Sequence, residues 1–327
     1  MTNMTTYNNV TNALDNAKNI LIISHVNPDG DTLGASVAMF LALSKKYPQK
    51  EIVVTSLNFV PELYEFIPSV DKITFIENIN RDKLFDVAIA VDVASKDRMT
   101  KALNLFENSK IKINIDHHKT NNLYGNINLV EADASSASEV VFKFLKNSGF
   151  EIDEDIAVCI YTGIMTDTGS FKYENTSKKT FEIASELISL GANPCKISQA
   201  YYDCRPKAMV SLHAYAVCNA TFLFNDKVAY TYITEDIFEK CHAKDEHTDG
   251  IAELLRQVKT VELAFVLKET EIGHTKISMR SKLIDCAKLC EKYNGGGHAH
   301  AAGCTIKRPP KIALDKLLED IKPYYEN

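Results

Sequence analysis

The sequence predicts a two-part α/β protein, with a larger N-terminal parallel-sheet domain followed by a smaller α+β domain. Three observations carry this expectation. Ile20 to Ile23 is a short apolar run that opens into the polar turn SHVNPDGDTLG at 24–34 and then into an apolar helical pattern from Leu33 to Leu43. Phe85 to Val91, FDVAIAV, is apolar without alternation, as expected of a strand buried on both faces of a parallel sheet, and Asp92 stands at its end. Ile111 to Ile115 repeats the pattern and runs directly into Asp116, His117 and His118. Three strands thus end in side chains able to hold a metal, at the edge where α/β sheets bind ligands.

Taken in order, Pro28 fixes one backbone angle of the first turn and Gly30 frees another, so His25, Asp29 and Asp31 crowd one tight bend. Glu51 to Leu57 reads as a second strand and Lys72 to Ile76 as a short third one. Ser136 and Glu139 form a capping-box pattern that opens a helix ending near Gly149. A helix from about Asp153 to Met165 empties into TDTGSF, placing Asp167 in a loop, and another runs from Lys178 to Leu190. Gly191, Asn193 and Pro194 mark a break, which gives domains at 1–190 and 213–327 joined by a helical linker over 191–212. The second part holds strand-like runs at 227–233, 262–268 and 276–280, a helix near 250–258, a glycine cluster at Gly295 to Gly297 and a last helix near 312–321.

A chain of 327 residues can bury two cores, and 45% hydrophobic with 24% charged residues is the composition of a globular protein. The polar start MTNMTTYNNV lacks a secretory pattern and no apolar run reaches membrane-spanning length, so the expected location is the cytoplasm, without a membrane partner. The eight cysteines include no C-x-x-C and are expected to be reduced thiols. A net charge of −6 argues against coating long nucleic acid and leaves a short anionic substrate open.

His25, Asp29, Asp31, Asp92, His117 and Asp167 form one set of four carboxylates and two imidazoles. Such donors suit Mn²⁺, Fe²⁺ or Mg²⁺ rather than a thiolate-bound structural zinc. Six ligands suit two ions sharing a carboxylate better than one small ion with open positions. An isolated Asp after a strand is ordinarily a cap or turn residue. The joint pattern outweighs that reading, because all three histidines of the first 190 residues fall in these strand ends. Spacing alone leaves open which of the residues touch an ion.

HVNPDGD, the VD of Val91 and Asp92, DHH at 116–118 and TDTGSF resemble, in order, the four motifs of the DHH phosphoesterase superfamily. SMRSK at 278–282 followed by GGGHAHAAG at 295–303 is similar to the DHH-associated C-terminal domain. The resemblance spans nearly the whole chain and is greatest to the bacterial nanoRNase branch that also acts on 3′-phosphoadenosine 5′-phosphate (pAp), the bifunctional oligoribonuclease and PAP phosphatases. It implies that His25 and Asp29 hold one ion, that Asp31, His117 and Asp167 hold the other, and that Asp92 bridges them. It further implies that Asp116 orients an imidazole and that His118 faces the substrate phosphate. The implied cofactors are two divalent ions, Mn²⁺ first and Mg²⁺ or Co²⁺ as substitutes.

Arg98 reads equally as a phosphate contact or as a surface charge. Gly295, Gly296 and Gly297 would let backbone amides approach a phosphate, with Arg280, Ser281 and His298 adding side-chain contacts. Tyr173 is a candidate for stacking a base, and Phe171 defaults to the core. His242 and His247 read as a solvated loop, and His213, His274 and His300 carry no assigned role. The expected activity is degradation of dinucleotides and short RNA or DNA oligonucleotides to mononucleotides and dephosphorylation of pAp, in a monomer or a homodimer. The rival within phosphoesterases is hydrolysis of cyclic di-AMP or linear pApA. A family II pyrophosphatase fits the metal motifs, but the RSK and GGGH segments favour the nucleotide branch. A non-catalytic nucleotide sensor is the reading from another class, and the presence of every proposed ligand speaks against it. A nicotinamide oxidoreductase lacks its G-x-G-x-x-G after the first strand.

Overall fold

The computed structural model describes residues 2–271 and 273–325, with the side chains of Thr2, Asn3, Glu271 and His298 outside that description. Two compact units divide the chain at Met1–Cys204 and Arg205–Asn327. The expected linker over 191–212 is itself divided. Helix Pro194–Tyr202 belongs to the first unit, where Ile197 joins its core, and helix Lys207–Cys218 opens the second.

In the first unit the strands are β1 (Asn19–Ile23), β2 (Glu51–Ser56), β3 (Thr74–Phe75), β4 (Val87–Val91), β5 (Ile111–Asp116) and β6 (Ile127–Val130). Their order across the sheet is β3-β2-β1-β4-β5-β6 and each neighbouring pair is parallel. The chain therefore winds outward in one direction from β1 and in the other from β4, so the crevice between these two strands lies at the topological switch point. The helices are α1 (Thr2–Asn16), α2 (Gly30–Lys46), α3 (Leu103–Asn108), α4 (Ala137–Asn147), α5 (Glu154–Asp167), α6 (Lys178–Ser189) and α7 (Pro194–Tyr202). The uninterrupted apolar strands have the physical reason anticipated: Ile20 and Ile22 enter the core on one face, while Leu21 and Ile23 enter the core on the other.

One element was not anticipated and two local expectations are corrected. The polar N-terminus forms α1, because Tyr7, Val10 and Leu14 share one face and are buried. The helix after the first turn begins at Gly30 rather than Leu33, because the Asp29 carboxylate caps it by accepting from the Asp31 and Thr32 amides; Asp31 is thus helical. The capping box at Ser136 is only half formed. Ser136 accepts from the Glu139 amide, but the Glu139 carboxylate turns to the amide and hydroxyl of Ser135.

The second unit is a mixed sheet ordered β11-β12-β10-β9-β8-β7, built from β7 (Thr221–Leu223), β8 (Val228–Ile233), β9 (Leu263–Glu271), β10 (His274–Ser281), β11 (Gly296–His298) and β12 (Ala301–Ile306). Its helices are α8 (Lys207–Cys218), α9 (Glu235–Cys241), α10 (Ile251–Arg256), α11 (Cys286–Glu291) and α12 (Pro310–Ile321). Part of the glycine cluster is strand, since Gly296 and Gly297 pair with Gly303 and Ala302. Among the described residues no helix is long and apolar enough to cross a membrane.

Close packing of α2 on α5 brings both chain segments to the crevice. A Cβ on Gly34 would lie 2.4 Å from the Cys159 carbonyl oxygen, which is backbone and cannot swing aside. Gly34→Ala is therefore expected to cost about 1–3 kcal/mol through overpacking. Urea unfolding followed by far-UV circular dichroism measures this, and an unchanged midpoint would mean that the two helices separate freely.

Candidate metal centre

The six residues singled out from the sequence converge at the carboxyl ends of β1, β4 and β5. His25 is buried, and its Nδ1–H donates to the Val26 carbonyl at 2.7 Å, which fixes the tautomer and leaves Nε2 facing inward. That nitrogen lies 3.4 Å from Asp92 Oδ2 and 4.0 Å from Asp29 Oδ2. Asp29 spends Oδ1 on capping α2 and keeps Oδ2 for this contact.

The opposite wall is built from farther along the chain. His117 Nε2 lies 3.7 Å from Asp92 Oδ1, 3.8 Å from Asp167 Oδ2 and 3.9 Å from Asp31 Oδ2. Asp31 is buried at the N-terminus of α4, where its oxygens accept from the Ala137 amide at 2.7 Å and the Ser138 amide at 2.9 Å. Asp167 is the last residue of α5 rather than a loop residue, and Asn175 Nδ2 donates to its Oδ2 at 3.2 Å. Among the six, two donor groups result, His25 with Asp29 and Asp92, and Asp31 with His117 and Asp167; a third group joins Asp92 and His117 to Asp116 and His118.

Asp92 stands between them. Its backbone adopts a left-handed conformation, φ 60°, which Asp tolerates better than most residues and which turns the carboxylate back over the strand end. Thr32 Oγ1 donates to Oδ2. Oδ1 is buried with no hydrogen-bond partner among the described residues, although two imidazoles approach within 3.7 Å. A buried, partnerless carboxylate oxygen ringed by ligand atoms at that range is the geometry of a shared cation rather than of direct hydrogen bonds. The donor set, oxygen and imidazole without thiolate, fits a divalent ion of the Mn²⁺ or Mg²⁺ kind.

The electrostatics agree. Burial, followed by the charges of neighbouring carboxylates, raises the pKa values of both Asp31 and Asp167 well above the ordinary range. At Asp92 burial pushes the same way, but the hydrogen bond and charge of His25 and the charges of His117 and His118 prevail and hold it below that range. Beside the cluster, Asp116 Oδ1 accepts from His118 Nδ1 and from the His117 amide, both at 2.8 Å, while Asn121 donates to Oδ2. Burial would lower the His118 pKa; the Asp116 hydrogen bond and the surrounding carboxylates overcome this and raise it to about 9.

The remaining candidates divide. Arg98 is half-buried in the 3₁₀ segment Lys96–Ala102, its carbonyl accepts from the Val26 amide, and its charge opposes protonation of His25, so it flanks the centre. Phe171 packs with Phe181 at 5.4 Å, whereas Tyr173 is 54% exposed. In the second unit Arg280 pairs through Nε with Glu253. Ser281 is a correction: it is fully buried and its hydroxyl accepts from the Leu283 and Ile284 amides, so it shapes the turn after β10. Gly295 donates its amide to the Cys290 carbonyl, Gly296 and Gly297 are exposed, and the His298 side chain lies outside the described residues. His247 is also corrected: it is buried, its Nδ1 accepts from the Lys244 amide and its carbonyl takes the His213 ring. Thr32, Asn121 and Asn175 escaped sequence reading, although Thr32 directly follows Asp31 in the first motif.

Residues 19–164 match the DHH family, N-terminal domain, and residues 225–327 match the DHHA1 domain. The chain is 30% identical to the probable bifunctional oligoribonuclease and PAP phosphatase NrnA of Streptococcus mutans, over 87% of this chain and 88% of that protein. It is 27% identical to the bifunctional oligoribonuclease and PAP phosphatase NrnA of Bacillus subtilis, over 93% of each. The crystal structure of an exopolyphosphatase-related protein from Bacteroides fragilis superposes with a TM-score of 0.92 at 27% identity, covering 99% of this chain and 98% of that one.

The crowding of carboxylates has a measurable consequence. With its pKa raised in the folded chain, Asp167 makes the folded state bind more protons than the unfolded state near neutrality, so this group erodes stability as pH rises. Asp167→Asn keeps an oxygen for Asn175 and removes the charge. In a chelator at neutral pH it is expected to raise unfolding stability by about 1 kcal/mol; a loss of stability there would contradict the repulsion.

Proposed function

This chain belongs to the DHH family, with a DHHA1 domain in its second part, and on that premise we propose that it is a dinuclear-metal phosphoesterase. It cleaves dinucleotides and short oligonucleotides to mononucleotides and removes the 3′ phosphate of pAp. The observation that carries the reading is Asp92, whose Oδ2 faces His25 and whose Oδ1, near the His117 and His118 rings, has no hydrogen-bond partner among the described residues.

On this reading His25, Asp29 and Asp92 would hold one divalent ion, and Asp31, His117, Asp167 and Asp92 the other, with Mn²⁺ as the native metal. When bound, such a pair supplies an activated water and neutralises the phosphoryl oxygens of an in-line displacement. The chain's own groups do the rest. The α4 amides and Asn175 hold Asp31 and Asp167 in position, and the Val26 carbonyl does the same for His25. His118, held by Asp116, would donate a proton to the departing 3′ oxygen. Arg98 supplies a cation for a phosphate oxygen. In the second unit Arg280, anchored by Glu253, and the exposed Gly296–Gly297 backbone are that unit's candidate phosphate-binding groups. Substrates of this kind place the activity in the cytoplasm.

Three outcomes test the reading. Hydrolysis of pApA, pAp, cyclic di-AMP and pyrophosphate should be compared with Mn²⁺, Co²⁺ and Mg²⁺, and the first two should turn over fastest with Mn²⁺. Failure of all four would end the enzymatic reading. Asp92→Ala should lower turnover by more than about 100-fold, the upper figure for losing a group that merely supports a ligand. Arg280→Ala should mainly raise KM for pApA, as expected for a group that binds ground and transition states alike; steady-state kinetics would return Arg280 to a purely structural role if KM stayed at the wild-type value.

A further inference from the structure

The loop that follows β2 carries the most exposed large apolar side chain among the described residues, Phe59, with 81% of its surface accessible. Its ring is not loose. It lies stacked on Phe75, centroids 4.8 Å apart and planes within 9°. Phe75 is itself fixed in β3, whose backbone pairs with Ser56 at the end of β2. One face of Phe59 is therefore backed by a second ring, and the other is presented flat to solvent.

The same loop is fastened to the metal-centre loop. Asn58 Oδ1 accepts from the Asn27 amide at 2.9 Å, and Asn27 lies between His25 and Asp29. One step earlier, Thr55 O accepts from both the amide and the hydroxyl of Ser24. Ser56 Oγ then closes the turn on the Asn58 carbonyl at 2.7 Å. β2 neighbours β1 in the sheet, so Phe59 stands on the carboxyl edge, one strand from the switch-point crevice.

We infer that Phe59, backed by Phe75, is the platform on which a nucleobase of the substrate stacks. An aromatic face suits this task because every base offers a π-face and stacking needs no hydrogen-bond readout. A protein partner fits less well. One ring buries about 150–250 Å², far below the roughly 800 Å² per partner of a stable protein interface. The inference rests on the nucleotide reading of the same site and narrows it: the base is held by stacking, so purines are favoured over pyrimidines and base identity is read weakly.

The chain contains no tryptophan, so Phe59→Trp introduces a single indole at the platform. With Mn²⁺ present, AMP should quench that indole and ribose 5-phosphate should not, a readout independent of hydrolysis. In parallel, Phe59→Ala should raise KM for pApA about tenfold, within the range for losing one stacked base, and should leave KM for base-free ribose 3′,5′-bisphosphate within twofold of wild type. An indole indifferent to AMP, or equal KM changes for both substrates, overturns the inference. So does conversion of a dimer to a monomer by Phe59→Ala in sedimentation, which would make the ring an interface. If the wild type hydrolyses nothing while AMP still quenches the indole, the phosphoesterase reading fails and the base platform stands.

Discussion

Negative charge packed out of water is the constraint on which this architecture depends. Asp31, Asp92 and Asp116 are buried, and Asp167 lies against them with imidazoles interleaved. Removing carboxylates from water is costly unless donors or cations replace it. The chain supplies the donors unevenly. Asp31 receives two amides, Asp116 an amide, an imidazole and an amide side chain, and Asp92 the Thr32 hydroxyl and the His25 imidazole, both on Oδ2. The shortfall falls on Asp92, whose Oδ1 has no hydrogen-bond partner among the described residues.

The parallel sheet answers that constraint with geometry. Strand ends at the switch point aim β1, β4 and β5 side chains into one crevice, while helices on the flanks bring N-terminal amides to the carboxylates. α2 contributes at both levels. Its cap residue, Asp29, faces one donor group, and Asp31, two residues on, faces the other. A single turn of backbone thus serves both sides of the centre.

Much of this was legible because it depends on local pattern. FDVAIAV announces a doubly covered strand in the sequence itself, and Asp92 and His117 are placed by the strands they end. The motif order likewise foreshadowed which family the chain belongs to. What stayed hidden depends on closure of distance. Asn175, Asn121 and Thr32 are ordinary polar residues until the fold sets them against Asp167, Asp116 and Asp92. Burial of Ser281 and His247 was hidden for the opposite reason, because short polar segments carry no periodicity that separates a solvated turn from a packed one. Glycine has no side chain to report a face, so the pairing of β11 with β12 left no signature in GGGHAHAAG.

The cradle of Asp31 also spans a long stretch of chain. Its carboxylate accepts from amides 106 and 107 residues farther along the chain. On a ribosome the first motif emerges long before the start of α4, and Asp167 and Asn175 follow later still. Contacts of such sequence separation carry a loop-closure cost that the sheet between them helps to meet. The centre thus ties together segments that leave the ribosome far apart in time.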